Sequence, residues 1–109
     1  MSTAGRRQKI EAMLADDPAD TFLRYSLALE QEKEGEHERS LSGLRALMQD
    51  ASPYVPAFFM GAQQLAKLGQ INDARAVLRT GVEEARRQGD AHAAGEMAEF
   101  LASLGAMGE

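Results

Sequence analysis

The chain has no cysteine and no tryptophan among its 109 residues, and only two tyrosines and four phenylalanines. The absence of cysteine excludes disulfides, thiolate catalysis and cysteine metal ligands. An excess of positive charge is also missing, because the net charge is −5. Nucleic acid is therefore not expected as a ligand, since no basic stripe is available to neutralise phosphates.

Long apolar runs are missing as well. The longest mostly apolar stretch, residues 55–62, is too short to span a bilayer. The basic residues Arg6, Arg7 and Lys9 are followed by acidic residues instead of the apolar core of a signal peptide. We therefore expect a cytoplasmic protein with no membrane partner.

Motifs that carry catalysis are scarce. The two histidines, His37 and His92, lie far apart in the sequence. The pair His92 and Glu96 has helical spacing, but capping and solvation explain it better than metal binding or catalysis does. Nucleophile motifs and Gly-rich phosphate loops are absent from the sequence. We expect no enzyme, with no catalytic residue, no metal and no cofactor.

Two glycines give the chain its organisation. Gly35 and Gly69 are 34 residues apart, and each lies between two helical patterns. Such a spacing is typical of a helix-turn-helix repeat. Small residues in the second unit indicate close helix approach, and Gly69 is expected to end a helix in the left-handed conformation. The pattern of this unit is Phe58, Ala62, Leu65, Gly69, Ala74, Leu78 and Gly81.

This pattern resembles the tetratricopeptide repeat (TPR) signature, with Phe58 in the aromatic position. The first unit matches less well, because Arg24 occupies that position. Its matching residues are Leu27, Ala28, Gly35, Ser40, Leu41 and Leu44, and a partial third unit contains Met97, Ala98, Leu101 and Gly105. The resemblance implies an all-α superhelix of about six antiparallel helices.

The same register divides the chain into parts of one TPR-like domain, residues 1–109. An N-terminal helix (1–16) precedes a first repeat (17–52), a second repeat (53–88) and a C-terminal capping helix (89–109). Asp17-Pro18 and Ser52-Pro53 are predicted to supply the cap and first position of the second and fourth helices. Gly89-Asp90 is predicted to separate the last two helices, and the final helix to end near Leu104, before Gly105.

In TPR folds the first helix of each unit lines a concave groove. The resemblance thereby implies an adaptor that binds a partner protein or peptide. Lys67 is the only lysine expected in the groove, so an apolar segment is a better ligand than an acidic tail. The alternatives are that a second copy covers the groove in a homodimer, or that its side chains belong to the core. The predicted groove residues are Phe22, Tyr25, Leu29, Phe59, Met60, Gln63 and Lys67, with Glu96 and Glu99 from the last helix.

A dense acidic run occupies residues 30–38, with five glutamates and one lysine. It can be interpreted as a docking patch for a basic partner or as a solvated turn. We favour the turn, because charge runs usually form solvated faces.

Overall fold

Six α-helices form the part of the chain that the structure describes. The computed structural model describes the backbone of residues 3–108 and the side chains of residues 5–105. Within this range every regular element is a helix, so the prediction of an all-α fold is confirmed. The helices are α1 (Thr3–Asp16), α2 (Thr21–Lys33), α3 (His37–Met48), α4 (Val55–Lys67), α5 (Ile71–Arg87) and α6 (Ala91–Gly108).

The helices stack in chain order. Each helix packs on the next one along the chain, and α4 also touches α6. The resulting stack measures 42 × 29 × 20 Å. Because α2, α4 and α6 are the first helices of successive units, the contact between α4 and α6 places two such helices beside each other. This arrangement creates the surface on which the candidate site lies.

Among the residues that the structure describes, three glycines end helices in the left-handed conformation. Gly35, Gly69 and Gly89 have φ angles of 82°, 81° and 80°. At the second of these turns, the amide of Gln70 donates to the carbonyl of Leu65 at 2.9 Å, which satisfies a carbonyl at the helix end. The predicted conformation is thus confirmed at Gly35 and Gly69, where a side chain would introduce backbone strain.

The predicted start of α2 is wrong by three residues. Asp20, rather than Asp17, caps this helix, and its carboxylate accepts from the amide of Leu23 at 2.8 Å. Pro18 instead follows Asp17 in a turn that is closed by the Asp20 amide and the Asp17 carbonyl at 3.2 Å. Aspartate followed by proline suits such a turn as well as it suits a helix start, and the second aspartate takes the cap.

The fourth helix also starts later than Ser52-Pro53 predicts. It begins at Val55, with Pro56 in its first turn and Tyr54 at the cap position. The amide of Tyr54 donates to the carbonyl of Leu47 at 3.0 Å, which holds the connection against the end of α3. The predicted end of α6 is wrong too, because the helix continues through Gly105 to Gly108.

The core is divided into two clusters that follow the repeats. Phe58 joins the larger cluster, whereas Arg24, in the equivalent position of the first unit, pairs with Asp50 at 2.7 Å. The first unit thus replaces an aromatic anchor by an ion pair. The larger cluster contains Val55, Phe58, Ala62, Leu65, Ala74, Leu78, Val82, Ala85, Ala94, Met97 and Leu104, and the smaller contains Ala28, Leu44, Leu47 and Ala57.

The acidic run at residues 30–38 is neither a free docking patch nor a wholly solvated turn. Glu30 is only 4% exposed, and four of the five glutamates pair with basic side chains of the chain itself. Two of these pairs attach α1 to α2, since Arg6 and Arg7 lie on α1. The pairs are Arg6 with Glu30 at 3.4 Å, Arg7 with Glu34 at 2.9 Å, His37 with Glu32 at 2.6 Å and Arg39 with Glu36 at 3.3 Å.

These ion pairs predict that the attachment of α1 to α2 depends on charge. None of the described side chains of α1 is fully buried, so the ion pair of Arg7 with Glu34 is expected to contribute to its attachment. We expect Arg7→Ala to speed amide hydrogen exchange in α1 by roughly two- to fivefold, as for a partly exposed ion pair. Exchange in α4 and α5 should not change.

Arg39→Ala is the matched control for that measurement. It removes an arginine–glutamate pair that lies within residues 36–39 and joins no two helices. Exchange in α1 should remain as in the parent. Equal acceleration by both substitutions would show that the pair between Arg7 and Glu34 does not hold α1.

Candidate partner-binding site

A pocket of about 370 Å³ opens on the surface formed by α2, α4 and α6. These are the first helices of their units, so the pocket lies on the face that the TPR resemblance identifies as concave. Most of its walls are aromatic or aliphatic. The concave pocket is lined by Tyr25, Val55, Pro56, Phe59, Met60, Gln63, Asp90, Ala93, Glu96 and Met97.

Tyr25 forms the α2 wall and is held by a second tyrosine. Its ring meets that of Tyr54 edge to face, with centroids 5.3 Å apart and planes at 65°. Burial raises the pKa of the Tyr25 phenol, and Tyr54 nearby raises it further. The phenol is therefore neutral at physiological pH. A ring that is already fixed loses little conformational entropy when a ligand packs on it.

Phe59 forms the α4 wall and connects it to α6. Its ring stacks on Phe100 with centroids 5.8 Å apart and planes at 14°. Stacked aromatic pairs of this kind add to the stabilisation that burial alone gives. The stack is part of the contact between α4 and α6, which form two walls of the pocket.

The α6 wall differs from the others because it carries two carboxylates, Asp90 and Glu96. Asp90 caps α6, and its Oδ1 accepts from the amide of Ala93 at 3.0 Å. The Glu96 side chain is 52% exposed, with one oxygen 3.4 Å from Nε2 of His92. The side chain of His92 is 87% exposed and lies outside the set that lines the pocket.

The predicted groove residues divide into two sets. Tyr25, Phe59, Met60 and Gln63 line the concave pocket, together with Glu96. The others lie outside it. Phe22 projects from the first turn of α2 and is 66% exposed, and Leu29 and Lys67 lie one turn beyond Tyr25 and Gln63. Glu99 contributes with Glu96 to the adjoining surface of α6.

The sequence-based prediction did not include most of the α6 wall. The signal was available, because adding the 34-residue period to Pro56, Phe59 and Gln63 gives Asp90, Ala93 and Met97. The 34-residue period is needed to find these three positions. They hold a capping residue and two apolar side chains, and no chemical motif marks them as part of a site. The pocket-lining residues missed were Val55, Pro56, Asp90, Ala93 and Met97, and Phe100 was missed behind them.

The described part of the chain contains neither a cluster of metal ligands nor a helix that could span a membrane. Over that range, no three or more His, Cys, Asp or Glu side chains are grouped so as to hold a metal ion. The helices that the structure describes include none with the length and apolar character needed to cross a membrane. The concave pocket therefore remains the candidate site that combines shape with convergent polar groups.

Comparison with known proteins identifies the architecture. No family model matches the chain, and no curated protein matches it in sequence. A tetratricopeptide repeat domain protein from Salinibacter ruber is 26% identical, with a TM-score of 0.76 over 80% of this chain and 88% of that one. A protein from Bordetella parapertussis is also 26% identical, with a TM-score of 0.78 over 93% of this chain and 88% of that one. The resemblance in the residues around Gly35 and Gly69 is thus confirmed, and the chain has the tetratricopeptide repeat fold.

Proposed function

We propose that this chain is a protein-interaction module that binds a segment of a partner protein in the concave pocket. The observation that carries the proposal is the position of a largely apolar pocket on the face shared by α2, α4 and α6. Tyrosine, phenylalanine and methionine are enriched where proteins bind one another. The aromatic walls are braced by Tyr54 and Phe100, so the pocket is formed before a ligand arrives.

The dimensions of the pocket favour one or two anchoring side chains of an extended or helical segment. A volume of about 370 Å³ falls at the lower end of the range for ligand pockets. Such a pocket cannot hold a folded domain, whereas the side chain of a peptide can enter it. Helix-in-groove and extended-segment recognition both use anchors of this kind.

Calorimetric titration tests the proposal with a peptide selected from a phage-displayed library of random 12-residue peptides. We expect Tyr25→Ala and Phe59→Ala each to weaken binding of that peptide by at least about 1 kcal/mol, as for aromatic anchors. Circular dichroism melts should show that both variants are folded. Loss of affinity without loss of the fold would locate binding in the pocket.

Phe22→Ala is the matched aromatic control. Phe22 is on the same helix as Tyr25 but does not line the pocket, so its removal should leave the affinity unchanged. A library that yields no binding peptide, or a peptide indifferent to both pocket substitutions, would contradict the proposed function. Weakening by Phe22→Ala as well would extend the binding surface along α2.

A second candidate function is self-association. Met13 in the last turn of α1 and Phe22 in the first turn of α2 are 53% and 66% exposed. A four-residue connection joins the two helices, so both side chains lie at the same end of this pair. Sedimentation equilibrium decides between the two functions. A monomer that binds the selected peptide supports the interaction module, and a dimer that dissociates on Phe22→Ala supports self-association.

A further inference from the structure

The charged side chains that line the concave pocket are all negative, and they all lie on its α6 wall. Its α2 and α4 walls are neutral, and its α6 wall carries Asp90 and Glu96. The described residues that line it include no lysine, arginine or histidine to neutralise these carboxylates. Any ligand that enters the pocket therefore meets two carboxylates that no other lining residue neutralises.

Neither carboxylate is neutralised by the helix that carries it. Asp90 caps α6, but a helix N-terminus supplies roughly half a positive elementary charge against a full negative one. Glu96 lies further along α6, beyond the first turn in which the helix dipole acts. Its neighbour His92 is 87% exposed and is not among the residues that line the pocket.

Three kinds of anchor can be compared. An aspartate or glutamate would be repelled by the α6 wall. A purely apolar anchor would displace part of the water around the two carboxylates and would supply no hydrogen-bond donor in its place, which is unfavourable. A lysine or arginine has an apolar stem that suits the aromatic and methionine walls and a cationic head that suits the carboxylates.

We propose that the bound segment inserts a basic side chain, preferentially arginine, into the concave pocket. The stem packs on Tyr25, Phe59 and Met60, and the guanidinium meets Asp90 and Glu96. Arginine is preferred to lysine because its planar group stacks on aromatic rings and bonds to carboxylates through several N–H groups. This inference rests on the proposed function and specifies its partner as an apolar segment with a basic anchor.

The test uses the same random 12-residue phage library, selected on the whole chain at low salt. We expect the selected peptides to share an arginine or lysine at one position, flanked by apolar residues. Replacing that residue in the synthetic peptide by norleucine, which keeps the apolar stem, should weaken binding about tenfold, because the carboxylates lose their partner. Affinity should also fall as the salt concentration rises.

Two neutral variants locate the charge that is recognised. Glu96→Gln keeps the size of the side chain, and Asp90→Asn keeps a capping oxygen for the amide of Ala93. Each should weaken binding of the arginine peptide roughly three- to tenfold and leave binding of the norleucine peptide nearly unchanged. Glu99→Gln is the matched control, because Glu99 is on α6 but outside the pocket, and it should change affinity less than twofold.

The outcomes separate this inference from the proposed function. Selected peptides that lose affinity on Tyr25→Ala but lack a basic residue would overturn the basic anchor and leave the interaction module intact. The same holds for arginine peptides that are insensitive to both Glu96→Gln and Asp90→Asn. Absence of any pocket-dependent peptide would overturn both. Improved binding of the Arg-to-Glu peptide by Glu96→Lys would directly support the charge pairing.

Discussion

Replacement of Gly81 by alanine is expected to lower the free energy of unfolding by about 1–3 kcal/mol through overpacking. A Cβ atom at this position would lie 2.7 Å from Sδ of Met97 and 2.7 Å from Cβ of Phe58. The methionine can move, but Cβ of Phe58 is fixed to the backbone of α4. The α4–α5 spacing must therefore increase, although alanine favours a helix over glycine by about 1 kcal/mol.

Two further glycines provide a graded control for this prediction. Gly95 lies in α6 with nothing within 4 Å of an added Cβ, so Gly95→Ala should stabilise the protein by about 0.5–1 kcal/mol. At Gly61 an added Cβ would lie 2.6 Å from Cε of Met48, the mobile end of a flexible side chain, and the effect should be intermediate. Urea denaturation measures all three. Equal stability of Gly81→Ala and Gly95→Ala would refute the close approach of α4 and α5.

The sequence predicts that α4 and α5 approach closely at Gly81, because the repeat pattern places small residues where helices pack together. A small residue at a fixed offset from an aromatic one has a simple steric meaning. Phe58 and Gly81 do meet, and Ala62 and Ala74 are completely buried. The turns at Gly35 and Gly69 are equally local, since a left-handed residue at a helix end requires little beyond glycine itself.

Helix starts could not be predicted to the residue, because several nearby residues have similar capping ability. Asp17 and Asp20 are both suitable caps, and the one that serves is Asp20, whose carboxylate accepts from the amide of Leu23. At the start of α4, the bond from Tyr54 to Leu47 fixes the connection and leaves Ser52 outside the helix. Such bonds join residues whose proximity depends on the folded pair of helices.

The candidate site could be predicted only in part, because the residues of its α2 and α4 walls are conspicuous in the sequence and those of its α6 wall are not. Tyr25 and Phe59 are prominent large aromatic residues on the first helices of their units. The role of Asp90 as a helix cap is enough to explain its presence in the sequence, so its place on the pocket wall could not be inferred from the sequence. The partners of the acidic run were also hidden, because Arg7 and Glu34 are 27 residues apart and meet only when α1 folds back on α2.

Deletion of α6 has the largest effect that we expect. A chain ending at Gln88 should lose cooperative unfolding, bind a hydrophobic dye and aggregate. The deletion removes Met97 and Leu104, which are 0% and 1% exposed. Burial of side chains of this size contributes about 1.5–3 kcal/mol each. The resulting loss, about 3–6 kcal/mol for the two side chains, is a large share of the stability of a small domain, about 5–15 kcal/mol.

The reason for so large an effect is the position of α6 on the core. Ala94, Met97 and Leu104 belong to the same cluster as Leu78 and Ala74 of α5, so their removal would expose the apolar face of that helix. Arg75 would also lose its bonds to the carbonyls of Leu104 and Gly105, at 3.0 and 3.2 Å. Terminal helices of repeat arrays generally protect the apolar face of the preceding unit.

A chain ending at Gly105 is the control for this deletion, since it retains every α6 residue of the core cluster among the side chains that the structure describes. Its thermal unfolding should remain cooperative, with a midpoint within a few degrees of the parent. Analytical ultracentrifugation and dye fluorescence distinguish the two truncations at equal concentration. A chain ending at Gln88 that stays monomeric and unfolds in one transition would mean that residues 1–88 are stable without α6.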